Sequence, residues 1–448
     1  GAGGRVQGCR GAGGHIGDFR APSISIHHVH FIHLLPSASW FQTFSLVHTT
    51  TQDTKSVILD KGAQSMIIQD NSIANSDKLD QSYTTKPYFD KEVTNIIKGS
   101  ALIMMFIHHF FTFPSWWIEG ISYPRIEKLA IHLRSSSYLC VSIFCFLSGY
   151  FYFFSSSKTL RYSLKKITDI LITYWTIFLP FAVIVVTLSD YRYSFMEFVR
   201  ELFALSLPTM VFCWYVYFYY TFMLLLPFVT MLFTDELHIN FTIALLGIPF
   251  ILACCLDLVG SRFKLMNTLL VITKNWFPIV LIGYLFAKHD LFQKLDAFND
   301  SYCRQRVAKI FLCCLCIILS FLGRIVQPRF ILTFCCFPII HITPIFKISL
   351  DIIYAPLFIY SIIWIFQNIR LDIIRNILIP IGKYSLLMWF IHCIFFGSCK
   401  FIFQPILYFP RNPILVTAWG LLICLLIAIP VDALVTKIIR LKNKFLFD

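Results

Sequence analysis

Two ionisable side chains stand eleven residues apart in the first long apolar run, Lys98-Gly-Ser-Ala-Leu-Ile-Met-Met-Phe-Ile-His108-His109. At about 100° per residue that spacing makes almost three helical turns, so a helix carries Lys98 and His109 on one face, about 16 Å apart along its axis. Ionisable groups at membrane depth are costly and by default mark a pathway or a reaction site. A lysine there offers a fixed cation for an anionic group. A histidine offers proton transfer near neutral pH, or a nucleophilic nitrogen. His108 is turned about 100° from His109 and is expected to orient or pack. A snorkelling lysine over packed, hydrogen-bonded histidines fits the same pattern.

The elements that must hold these groups are legible in the composition. Of 448 residues, 57% are hydrophobic and 17% aromatic, and only 14% carry charge; mean hydropathy is +0.71. Soluble chains average about 25% charged residues, so this is a membrane protein. Charges fall between apolar runs of about 20 residues, a helical-span pattern and not the alternation of an outer-membrane barrel. The fold class expected is therefore all-α, a polytopic integral membrane bundle. The net charge of +14 reads as cytoplasmic loops against anionic headgroups. No basic stripe stands free of the spans, so no nucleic-acid partner is expected. The 15 cysteines sit mostly in apolar runs, as in Cys254-Cys255, Cys313-Cys314 and Cys335-Cys336, without metal or disulfide spacing.

Residues 1–85 differ from the rest. Gly1 to Gly17 is Gly-rich, a weakly apolar piece from Ile24 to Val47 carries His27, His28, His30 and His33, and Thr49 to Lys86 is a polar linker. Without acid or cysteine partners at ligand spacing, no metal is expected at those histidines. This part reads as a disordered or non-native leader, and residues 86–448 as the membrane domain. Helices are expected at about 94–113, 135–154, 167–188, 211–233, 240–257, 270–287, 308–323, 349–367, 376–397 and 412–435. Two basic runs, Lys158-Arg161-Lys165-Lys166 and Lys437-Arg440-Lys442-Lys444, should be cytoplasmic by the positive-inside rule. Ten spans put both on one side with the Arg370–Arg375 turn, whereas eleven would not. Ten is therefore favoured, with both termini cytoplasmic and 324–348 a re-entrant or external segment.

Further motifs follow in order. The second span ends Phe146-Leu147-Ser148-Gly149-Tyr150, a small-residue pair suited to close helix approach. The fourth opens Phe212-Cys213-Trp214-Tyr215. The sixth holds Phe277-Pro278 and Gly283-Tyr284. The ninth reads Gly382-Lys383-Tyr384-Ser385 and then Trp389-Phe390-Ile391-His392, placing a second histidine deep in a span.

Taken together, this ordered set resembles the acyltransferase-3 family of integral-membrane acyltransferases, which O-acylate surface carbohydrates. The resemblance covers residues 94 to 440 and is similar to a bacterial branch tied to capsule or exopolysaccharide. It rests on a basic residue, ten intervening residues and a histidine (Lys98, His109), the Phe-Leu-Ser-Gly-Tyr end, the Trp-Tyr opening, the aromatic-Gly motif, and Gly-Lys-x-Ser with Trp-x-x-His. Two departures stand out. Lys98 replaces the family's arginine, keeping charge but losing the bidentate fork. Where the family has paired arginines at the third span, this chain has Lys165 or Lys166 and then Asp169.

The resemblance implies an acyl-CoA donor, with acetyl the expected acyl group, a carbohydrate acceptor, the plasma membrane as location, and partner proteins of polysaccharide synthesis. Lys98, Arg161, Lys165 and Lys166 are then expected to hold the donor phosphates by charge-assisted contacts. His109 either deprotonates the acceptor hydroxyl or accepts the acyl group itself. Ser148, Tyr150, Trp214, Tyr215, Ser385 and His392 are supporting candidates that would line the cavity and stabilise an oxyanion. Asp351, opening the eighth span, is a candidate to fix an imidazole tautomer or to bind sugar hydroxyls. The competing class is a glycan or lipid transporter or flippase that uses buried His and Lys for binding or proton coupling. It calls for inverted repeats, and no internal repeat is visible.

Overall fold

The computed structural model describes residues 87–111, 117, 133–134, 136–206, 209–231, 264–303, 305–335 and 350–446, with backbone alone at 264–272, 274, 327–335 and 446. Thirteen α-helices lie among them: α1 (Lys91–Phe111), α2 (Leu139–Phe153), α3 (Leu160–Leu188), α4 (Phe195–Leu202), α5 (Tyr215–Met231), α6 (Lys264–Lys288), α7 (Leu291–Tyr302), α8 (Arg306–Cys335), α9 (Asp351–Asn368), α10 (Asp372–Lys383), α11 (Ser385–Cys393), α12 (Lys400–Tyr408) and α13 (Pro413–Leu446), with a 3-10 turn at Ile394–Phe396. No strand occurs among the described residues.

The helix at the centre is α1. Its buried residues run right round the cylinder, as expected of an apolar helix enclosed by others. It packs mainly on α10 and also meets α2, α9, α11 and α13. The outer helices show the opposite pattern. Along α8, Val307, Phe311, Ile318 and Leu322 are exposed, and along α13 Ile414, Leu426 and Leu434. Large aliphatic faces of this extent are stable against lipid and not against water.

Two helix crossings are made through bare backbone. A Cβ on Gly149 would overlap the carbonyl of Val280, and one on Gly283 would overlap that of Phe146, so α2 and α6 touch at a reciprocal pair of glycines. The Ser-Gly pair of the second span is thus a packing device, and Ser148 spends its hydroxyl on its own helix, donating to Phe144 O at 2.8 Å. Between α1 and α10 the same device recurs, with Gly99 against Leu378 O and Gly382 against Asn95 O.

Charge contacts sort the ends of the bundle. Arg375 meets Glu92 at 2.7 Å, joining the α9–α10 turn to the start of α1. Tyr88 N donates to Tyr150 Oη at 3.0 Å, bringing the end of α2 there too. Lys442 of α13 forms an ion pair with Asp169 of α3, which joins the two basic runs. Both runs and the Arg375 turn therefore lie at one end, as the charge pattern predicts.

Four helices are long and apolar enough to cross a membrane, Leu160–Leu188, Arg306–Val326, Asp351–Asn368 and Pro413–Phe445, and a fifth span arises if the bent pair Asp372–Lys383 and Ser385–Phe396 counts as one. The described helices thus account for four or five spans where the charge pattern predicts ten. Two more apolar helices, α2 and α5, are shorter, and the expected span 240–257 lies outside the described residues, as does the leader. Two expectations need correction. The segment 324–348 does not begin as a re-entrant or external segment, because α8 continues to Cys335 and Arg324 is matched inside the bundle by Asp351; residues 336–348 lie outside the described residues. The span 376–397 is not straight but bends by 68° at Tyr384. Outside the expected spans, α4, α7 and α12 are also helical.

Candidate functional site

Helix α1 carries Lys98 and His109 without a break, so the inferred rise of about 16 Å between them stands. Both are buried, Lys98 at 3% exposure and His109 at 0%. They mark two levels of the bundle. Lys98 sits between the Asn95 and Gly99 crossings with α10, toward the end that holds the basic runs. His109 sits in the opposite half.

The bend at Tyr384 redirects α11 so that His392 comes back to α1. His109 Nδ1 and His392 Nε2 are 2.8 Å apart. Their ring planes are within 5° of parallel and their centroids 4.9 Å apart, an edge-to-edge arrangement that aligns an N–H with a ring lone pair. The other nitrogen of His392, Nδ1, meets the carbonyl of Trp389. A carbonyl only accepts, so His392 Nδ1 carries the proton, and with His392 neutral its Nε2 accepts from His109 Nδ1. That assignment leaves the lone pair of His109 on Nε2. Phe212, in the turn before α5, stacks on the His109 ring at 3.9 Å between centroids and 12° between planes. Phe106 covers His392 from α1 at 5.3 Å. The imidazole is thus held on a face by Phe212, on an edge by His392, and in one tautomer.

His108 Nδ1 contacts Arg134 O at 3.1 Å, and its ring stands 5.2 Å from that of His109. It ties the start of the α2 region to α1. The remaining sequence candidates are spread out. Trp214 and Tyr215 are buried, and Tyr215 Oη faces Cys145 Sγ at 3.6 Å, linking α5 to α2. Tyr150 belongs to an aromatic cluster at the basic end, stacked on Phe89 at 4.9 Å. Ser385 is buried at the bend. Arg161 is exposed, Lys165 and Lys166 are half-buried, and Lys166 Nζ lies 5.6 Å over the Tyr162 ring. Asp169, where the resemblance places a second arginine, is partnered by Lys442, so α13 brings a cation to that position.

Sequence reasoning did not single out Phe212 as a site residue, nor the Trp389 carbonyl, nor Glu201. Glu201 is fully buried in the short helix α4, and its Oε1 accepts from Thr209 N at 2.9 Å, Thr209 Oγ1 at 2.6 Å and Met210 N at 2.9 Å. Those bonds set the turn that presents Phe212. The helix itself begins with a Ser194–Glu197 capping box. Burial pushes the Glu201 carboxyl above its ordinary range, and its hydrogen bonds to Thr209 and Met210 offset part of that. A carboxyl with a raised folded-state pKa stabilises the fold below its unfolded value and loses that contribution as pH rises through the folded value. Glu201→Gln keeps the accepting oxygen and cannot ionise. Its thermal midpoint relative to wild type is therefore expected to rise between pH 4 and pH 7, whereas Glu201→Ala, which orphans three donors at about 1–3 kcal/mol each, should lose folded protein at every pH. Melting curves of both variants across that range check this.

The described residues thus form an all-helical membrane bundle with a paired histidine at one level and a buried lysine nearer the basic end. The model of the acyltransferase-3 family, described as an acyltransferase domain, matches residues 94–433. The chain belongs to that family. No curated protein and no solved structure matches it.

Proposed function

We propose that the protein transfers an acyl group, acetyl by preference, from acyl-CoA to a hydroxyl of a carbohydrate, of the capsular or exopolysaccharide kind, across the depth of the plasma membrane. The single observation that carries this reading is the His109–His392–Trp389 relay, which holds a histidine as a neutral base with its lone pair on Nε2. The basic end, with Lys98, Arg161, Lys165, Lys166 and Lys442, receives the CoA phosphates on the cytoplasmic side and leaves the pantetheine arm to run along α1 toward His109. The distance along that helix, about 16 Å, suits an extended arm that delivers its thioester to the far half of the bundle.

At His109 the acceptor O–H gives its proton to Nε2 while its oxygen attacks the thioester carbonyl. The carbon–sulfur bond breaks, the acyl ester forms, and the CoA thiolate departs with the proton from His109. Rising positive charge on His109 is stabilised by the donation of Nδ1–H to His392, in the manner of a base steadied by a third group. Topology in this reading is ten spans with both termini cytoplasmic.

The test is acyl transfer by membranes containing the protein, with labelled acetyl-CoA and the glycan of a host deletion strain. Appearance of label as an alkali-labile ester on glycan supports the reading. Absence of any ester, with movement of glycan or lipid across the bilayer, would put the transporter class in its place.

A further inference from the structure

One buried charge cluster is not used by this mechanism. Arg324 lies about 27 Å along α8 from its start by helical rise, in the half of the bundle that holds His109, and is only 8% exposed. Its Nε stands 3.1 Å from Asp351 Oδ1 at the start of α9. Asp351 is fully buried and accepts from Ser142 Oγ of α2 at 2.5 Å, which fixes the carboxylate. The guanidinium lies 4.5 Å over the Tyr138 ring. That ring is 5.4 Å from Trp276 and 5.9 Å from His108, which neighbours His109. The cluster is therefore contiguous with the histidines and remote from the basic end.

Three features point to a ligand. Arg324 Nη2 is buried and has no hydrogen-bond partner among the described residues, although an unmet buried donor on a charged group is expensive. The arginine and aspartate cancel in charge, so the pair does not call for an anion. The Tyr138 ring lies against the guanidinium and Trp276 against Tyr138, and a few placed polar groups against aromatic walls are the usual make-up of a small-molecule site.

We infer that Arg324 and Asp351, with Tyr138 and Trp276, form the subsite for the acceptor, binding hydroxyls of a neutral saccharide next to His109. The inference rests on the acyltransferase reading above. Arg324 donates from Nη2 to a sugar hydroxyl oxygen, the rings cover the apolar face of the sugar, and Asp351 keeps the arginine from selecting acidic sugars.

The experiment uses the full chain in lipid nanodiscs with labelled acetyl-CoA and a panel of neutral mono- to trisaccharide methyl glycosides, each paired with its uronic-acid counterpart. Asp351→Asn leaves the guanidinium uncompensated, and the ratio of neutral to uronate transfer should fall about tenfold or more; Arg324→Lys loses the fork, and KM for the neutral acceptor should rise about tenfold. Because the ratio is taken within each preparation, a loss of folded protein cancels. As a guard against misfolding, the double variant Arg324→Met with Asp351→Leu replaces the buried pair by apolar residues, which proteins commonly tolerate, and it too should raise the acceptor KM. An unchanged ratio in Asp351→Asn together with an unchanged acceptor KM in the other two variants would overturn the subsite and leave a structural clasp. Failure of wild type to acylate any member of the panel or the host glycan would instead remove the acyltransferase reading, and the subsite with it.

Discussion

Membranes carrying His109→Ala should transfer acyl groups about a thousandfold or more slowly than wild type at equal protein abundance, because general acid–base catalysis by a positioned group is worth about 10²–10⁴ in rate. His392→Ala should fall less, by about a hundredfold, since the base remains but loses the partner that sets its tautomer and supports its charge. His392→Gln, able to accept from His109 Nδ1 through an amide oxygen, should recover part of that loss. His108→Ala should largely retain transfer, because its bond is to the Arg134 carbonyl and outside the relay. The four variants form a graded series that a merely packed histidine pair would not produce. Packing defects would instead lower the amount of folded protein for all four, and rates per folded molecule would stay level.

The second large effect falls on stability. Gly149→Leu or Gly283→Leu should abolish accumulation of folded protein, because each Cβ collides with a backbone carbonyl across the α2–α6 crossing and neither helix can yield locally. Overpacking usually costs about 1–3 kcal/mol where side chains adjust. Here the obstacle is main chain, so the helices must separate along their contact, and a total stability of about 5–15 kcal/mol leaves little margin. Gly149→Ala should already reduce abundance. Whatever protein does fold should keep wild-type activity per molecule, which separates this defect from one in the relay. Abundance and melting in detergent, with activity normalised to folded protein, decide the matter.

Much of the site was visible before the fold. A lysine and a histidine at helical register in an apolar run identify α1, since spacing and hydropathy are local properties. His392 was visible as a deep histidine, but its pairing with His109 was not: it depends on the 68° bend at Tyr384, and although Pro380, Gly382 and Lys383 interrupt the apolar stretch there, they do not fix the direction of the bend. Phe212 reads as one aromatic among 47 phenylalanines until the turn held by Glu201 lays it on His109. Arg324 stands just past the expected span 308–323, with Gln327, Pro328 and Arg329 close behind it, and nothing local marks it as buried. Asp351, its match, comes 27 residues later in the chain, and single-sequence patterns do not report contacts at that range. The short helices α4, α7 and α12 escape for a different reason: they are too brief for span periodicity, and tertiary contacts fix them.

The measurement closest to the central claim is transfer of labelled acetyl from acetyl-CoA to glycan by membranes holding equal amounts of wild type, His109→Ala and His392→Gln. The relay predicts an alkali-labile glycan ester with wild type, almost none with His109→Ala, and an intermediate amount with His392→Gln. Equal ester from wild type and His109→Ala would contradict it, and would make the paired histidines a packing feature of the bundle.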